Sequence, residues 1–143
     1  VFPIFPLKKK AVFKAVLSRG QKWITKSFIV RALPNADLQA GIAQQFTQAE
    51  LSKTFYGLIA SKKVGRAVAR NKAKRRLREA LRHNAEIRLR PGYSYVFVAR
   101  AGLVQYPFET LKTDISWALR SLIKVNQEYA TDKTASDGAQ STS

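Results

Sequence analysis

The chain has 143 residues, 26 of them Lys or Arg and 9 Asp or Glu, so a formal charge of +17 is carried by a sequence that is 45% hydrophobic and 10% aromatic. That apolar content, at the length of one ordinary domain, supports a packed core and excludes a chain disordered throughout, while a pI near 10.6 points to a polyanionic partner, nucleic acid or an anionic membrane surface. The absence of cysteine excludes disulfides, thiolate chemistry and Cys-based zinc sites, and nothing calls for an oxidising compartment, so the cytoplasm is the expected location.

A membrane-spanning helix needs about 20 consecutive apolar residues, and Lys or Arg interrupts every hydrophobic run well before that. Residues 1–6 hold two prolines and place their apolar run ahead of the positive cluster, the reverse of a signal peptide, and read as an extended lead-in. From Leu7 to Arg19, Val12, Phe13, Val16 and Leu17 recur at helical spacing, with Gly20 where a left-handed C-cap belongs. Trp23 to Leu33 reads as a strand ended by Pro34-Asn35. Residues 36–53 form a polar, Gln-rich inserted loop with room for a turn of helix. Thr54 to Ala60 is a second buried strand, in which Gly57 marks a bulge or the close approach of another backbone. Beyond the basic segment that follows, Pro91-Gly92 signals a turn, Tyr93 to Ala99 is the clearest strand, and Gly102 opens a loop. From Pro107 to Val125, Phe108, Leu111, Ile115, Ala118, Leu119 and Leu122 outline a core-facing helix. Residues 126–143 are polar and expected to be disordered, which leaves 7–125 as a single domain. Helices and strands in this order imply an α+β fold, an α/β sandwich in which helices cover a small sheet.

The segment Lys62–Arg82 holds ten cations and a single acid, Glu79, a local charge of +9 that exceeds half of the total. Wound as a helix from about residue 70, it groups Ala73, Leu77, Ala80 and Leu81 into one stripe, with Arg70, Lys74 and Arg78 stacked along its border one turn apart and Asn71, Arg75 and Arg82 beyond them. Such a helix docks through its small-and-leucine side and presents a ladder of cations about 5–6 Å apart, in which guanidinium forks suit phosphate oxygens. A solvated helix face would intersperse acids, and a membrane-surface helix would need a broad apolar face with Trp or Phe. Lys62-Lys63-Val64-Gly65 lies between a strand and a helix start, where backbone amides and the helix dipole can hold a phosphate, although the run is not a Walker motif. The sequence has one histidine, His83, and places Glu79 and Glu86 for pairing with Arg75, Arg82 and Arg90, so neither a carboxylate cluster nor a catalytic triad is recognisable.

The run Ser61-Lys62-Lys63-Val64-Gly65-Arg66-Ala67-Val68-Ala69-Arg70-Asn71-Lys72-Ala73-Lys74-Arg75-Arg76-Leu77-Arg78 resembles the signature of the protein subunit of bacterial ribonuclease P, Lys-Lys-x-Gly-x-Ala-Val-x-Arg-Asn-Arg-x-Lys-Arg-x-x-Arg. The resemblance extends over residues 7–125: Phe13 and Val16 are kept in the first helix, Gly20 follows, Phe28 begins the next strand, and Tyr56-Gly57-Leu58 leads into the basic run. Lys72 stands where arginine is usual, Ala73 replaces a larger aliphatic residue, no acid precedes Phe13, and the 36–53 loop is longer than typical.

The resemblance implies an α-β-β-β-α-β-α order, a four-stranded sheet and a left-handed βαβ crossover at the signature helix, of the kind found in the second domain of a small-subunit ribosomal protein. It implies a catalytic RNA as partner in a 1:1 ribonucleoprotein that removes the 5′ leader of precursor tRNA. Catalysis then resides on the RNA and none on the protein, which raises affinity for precursor tRNA and for Mg2+. By the same resemblance, Lys62, Lys63, Arg66, Arg70, Asn71, Lys72, Lys74, Arg75 and Arg78 face the RNA subunit, with Asn71 also a metal contact. The leader runs through a cleft between the first helix and the sheet, which implies Phe13, Phe28 and Arg31; two cleft aromatics are replaced by Leu17 and Arg31. Charge and fold class alone would equally suit a structural RNA-binding protein such as a ribosomal protein.

Overall fold

The computed structural model describes residues 4–38, 46–83 and 89–122. Its elements run β1 (Ile4–Pro6), α1 (Lys10–Arg19), β2 (Gln21–Ile24), β3 (Phe28–Pro34), α2 (Gln48–Leu51), β4 (Thr54–Ala60), α3 (Ala67–Arg82), β5 (Tyr93–Ala99) and α4 (108–122). The sheet has five strands, not four, in the order β1-β4-β5-β3-β2. The additional strand is the lead-in itself: Ile4, Phe5 and Pro6 pair in parallel with Thr54, Phe55 and Tyr56. β4 and β5 are parallel and joined through α3, whereas β3 is antiparallel to both β5 and β2.

The region from Trp23 to Leu33, one strand by composition, is a hairpin. Thr25 Oγ1 accepts from the Phe28 N–H at 3.1 Å, Thr25 N–H donates to the Phe28 carbonyl at 2.8 Å, and Ser27 is buried in the turn. Here side-chain hydroxyls supply the reversal that Gly or Pro usually signals. α1 ends at Arg19, and Gly20 is extended (φ −70°) rather than left-handed. A Cβ there would lie 2.5 Å from the Val16 carbonyl oxygen and 3.0 Å from that of Ala32, so glycine lets the helix end close onto β3.

Alternation along the strands divides the core between two faces. On one, Phe28, Val30, Ala32, Tyr95, Phe97 and Ala99 meet Ala73, Leu77, Ala80 and Leu81 of α3 and Leu111, Ile115, Ala118, Leu119 and Leu122 of α4. On the other, Leu33 and Val96 lie with Val12, Ala15 and Val16 of α1, flanked by Phe13, Phe46, Phe55, Ile59 and Val98. The inserted loop is pinned by buried Asn35, whose amide donates to the carbonyls of Leu51 and Lys53 at 3.0 and 2.9 Å and whose Oδ1 accepts from Ser94 Oγ at 2.6 Å. The turn of helix expected there is α2, closed by a reciprocal capping box between Thr47 and Glu50. Residues 126–143 and Glu86 lie outside the described residues.

Candidate nucleic-acid interface

α3 is built to expose charge. Its stripe of Ala73, Leu77, Ala80 and Leu81 is buried to 1% exposure or less, the residue set that 3.6-residue periodicity selects. Around it, Asn71, Lys72, Arg75 and Arg82 are exposed, and Arg70, Lys74 and Arg78 are half-buried along the border. Lys62, Lys63 and Arg66, in the loop leading into the helix, are exposed as well. Glu79 is 3.9 Å from Arg82, and both side chains are more than half exposed, so this pair adds little stability. Arg76 is turned away from this array: its guanidinium donates to the Tyr106 carbonyl and lies 5.8 Å from the Phe108 ring centroid, tying α3 to the start of α4. His83 meets Phe108 edge-on, with ring centroids 6.1 Å apart.

The N-terminus of α3 strengthens the positive field. Its N-cap, Arg66, makes no side-chain cap and the first turn holds no acid, so the dipole end is not offset by a carboxylate. Register then adds cations that spacing along the chain could not reveal. Phe28, Ala60 and Ala99 end their strands at one rim of the sheet. This places exposed Lys26 and Arg100 at the same rim as Lys62 and Lys63, and Arg100 is braced there by donation to the Thr25 carbonyl at 2.8 Å.

On the opposite face, the Phe13 ring lies directly over Gly57, where a Cβ would overlap it. The close approach expected at Gly57 is therefore that of a ring, not a backbone, and the strand carries no bulge, since Gly57 pairs in register with Val96. Arg31, on this face, donates from Nη1 to the Leu17 carbonyl at the end of α1. Phe28 does not join them. It is fully buried on the α3 and α4 face, its ring 5.8 Å from that of Phe97, because period-2 alternation sends residues 28 and 31 to opposite sides. The expected grouping of Phe13, Phe28 and Arg31 thus reduces to Phe13 and Arg31, with Phe28 a core residue.

The family described as Ribonuclease P matches residues 5–123. The chain belongs to the ribonuclease P protein family. It is 31% identical over 137 residues to the ribonuclease P protein component of Paramagnetospirillum magneticum, covering 94% of this chain and 95% of the relative. The component of Clostridioides difficile is 30% identical over 118 residues, covering 82% and 88% of the two chains. The fold is that of solved ribonuclease P proteins. The Thermotoga maritima protein aligns with a TM-score of 0.61 at 22% identity over 80% of this chain and 96% of that one. The Staphylococcus aureus protein aligns at 0.59 and 22% over 85% and 94%. The matched span takes in the cationic side of α3 and the loop before it.

Proposed function

We propose that this ribonuclease P protein is the RNA-binding subunit of the holoenzyme, docking on its catalytic RNA through α3 and the loop before it and holding the 5′ leader of precursor tRNA on the α1 face. The observation that carries this reading is the construction of α3: an apolar stripe too narrow to do more than seat the helix, and a solvent side of Arg and Lys almost without acids. Lys62, Lys63, Arg66, Arg70, Lys72, Lys74, Arg75 and Arg78 take RNA-subunit phosphates, and Asn71 adds an amide that bonds a phosphate or a base edge. Phe13 offers a ring to a leader base and Arg31 a cation beside it.

Mg2+ belongs to the RNA in this scheme. On the protein, the amide of Asn71, exposed between Arg70 and Lys72, is the one group this reading offers to an RNA-bound ion or its water. The protein's part is to neutralise phosphates, which lets the folded RNA and its substrate approach with fewer ions.

Reconstitution tests this directly. Adding the protein to a bacterial ribonuclease P RNA at low Mg2+ should restore cleavage of precursor tRNA and lower the Mg2+ concentration required. An RNA whose activity and Mg2+ dependence are the same with and without the protein would refute the proposal.

A further inference from the structure

β1 has a consequence at the far side of Phe13. Its parallel pairing sets Phe5 beside Phe55, with ring centroids 6.2 Å apart at an interplanar angle of 50°. Phe46 approaches Phe55 from the other side, at 6.0 Å and again 50°. The three rings wall a cavity of about 250 Å³, larger than the roughly 150 Å³ that admits a six-membered aromatic ring. Lys8, Lys9 and Lys53 also line it. Lys9 Nζ sits 4.9 Å from the Phe46 centroid and Lys53 Nζ 4.7 Å from that of Phe5.

The one acid in the lining, Glu50, accepts from the Thr47 N–H at 2.8 Å and is held below the usual carboxylate range chiefly by that bond, with Lys53 and Lys9 acting in the same direction, so one carboxylate faces three ammonium groups and the lining stays net positive. An aliphatic partner would have no use for three ammonium groups, and an acidic peptide none for three rings. Tilted aromatic planes with ammonium groups over them match a nucleotide, because a base can take the place of an ammonium over a ring while the lysine moves to the adjoining phosphate.

Position identifies which nucleotide. Lys9 precedes Phe13 by four residues at the start of α1, about one turn or 5.4 Å. Phe55 precedes Gly57, beneath Phe13, by two residues of strand, about 6.6 Å. Along both backbones the pocket residues thus stand roughly 5–7 Å from the Phe13 position, on the order of two stacked nucleotides at about 3.4 Å each. We propose that the Phe5–Phe46–Phe55 pocket receives one unpaired base of the substrate's 5′ leader, about two nucleotides along the strand from the base that meets Phe13. This rests on the reading that the leader lies on the α1 face.

The test uses the holoenzyme reconstituted with a bacterial ribonuclease P RNA and precursor tRNAs whose leaders lengthen one nucleotide at a time. With the unaltered protein, affinity should rise in steps with leader length. Phe46→Ala should remove one late step, a loss of about tenfold, the order of one base–aromatic stack, and leave short-leader and mature tRNA unchanged. Phe46→Leu, which keeps the apolar volume, should lose the same step, and Lys53→Gln should lower it in a salt-dependent way. A leader carrying 5-iodouridine should crosslink to Phe5, Phe46 or Phe55 from a single position.

If the unaltered protein gives no leader-length dependence, the leader reading itself fails. If it does, but the Phe46 and Lys53 variants keep every step, or lose affinity for mature tRNA equally, the pocket assignment is overturned while the leader reading stands.

Discussion

Tyr95 couples stability to pH in the alkaline range. It is 1% exposed on the face covered by α3 and α4, and its hydroxyl accepts the Arg90 N–H at 3.0 Å. Burial pushes its phenol from the usual 10 up to about 12, partly countered by that hydrogen bond. The raised folded-state value means that stability is fully present below pH 10 and is lost as pH climbs from 10 through 12, about 2–3 kcal/mol in all. Urea denaturation of the unaltered protein and of Tyr95→Phe at pH 9 and pH 12 should show the variant losing less by that amount. Equal losses would mean that the phenol ionises as freely folded as unfolded. A single buried residue is also where sequence reading met its limit. Phe13 and Phe28 are both aromatics beside apolar neighbours in the sequence, yet one covers a glycine on the α1 face and the other is sealed in the core. Strand alternation parts Phe28 from Arg31, but which of the two faces is covered by α1 and which by α3 and α4 is set by tertiary packing, which local sequence does not carry.

Among the elements, α3 was the most legible. Its stripe and its ladder both follow from helical period, so Ala73, Leu77, Ala80 and Leu81 could be assigned inward and Arg70, Lys74 and Arg78 to the border before any packing was known. The Thr25–Ser27 reversal was not legible by composition, because hydroxyl-to-backbone bonds do the work there; the resemblance, which begins a strand at Phe28, agrees with the start of β3 but gives no sign of the turn before it. The same division within α3 predicts two separable phenotypes. Arg75→Ala, at an exposed position, should weaken RNA-subunit binding by about 1–3 kcal/mol and reduce the log–log salt slope by about one, with the unfolding midpoint unchanged. Leu77→Ala should lower stability by about 2–5 kcal/mol and leave the salt slope intact. An Arg75 variant that binds more weakly with an unaltered slope would show that Arg75 does not contact a phosphate.

Over the whole molecule, +17 is a standing repulsion. The described acids relieve it little: Glu79 and Glu109 are exposed i,i+3 partners of Arg82 and Lys112. Anions that bind the folded cation array should therefore stabilise it beyond simple screening. Tripolyphosphate at millimolar concentration should raise the melting temperature by several degrees, about 2–4 °C for each kcal/mol, above the rise in sodium chloride of equal ionic strength. Identical rises would show that charge is relieved by screening alone.

The sheet ends on one side with a three-residue strand containing Pro6 and on the other with a four-residue strand containing exposed Lys22. Pro6 has no amide proton to offer a new neighbour, and short edges with a proline or an outward lysine are poor templates for another chain. The long, apolar β4 and β5 are enclosed between them. Among the described residues, the sheet thus offers another copy of the chain two short borders, one interrupted by a proline and one carrying an outward lysine, on which strand addition is disfavoured by geometry as well as by like charge.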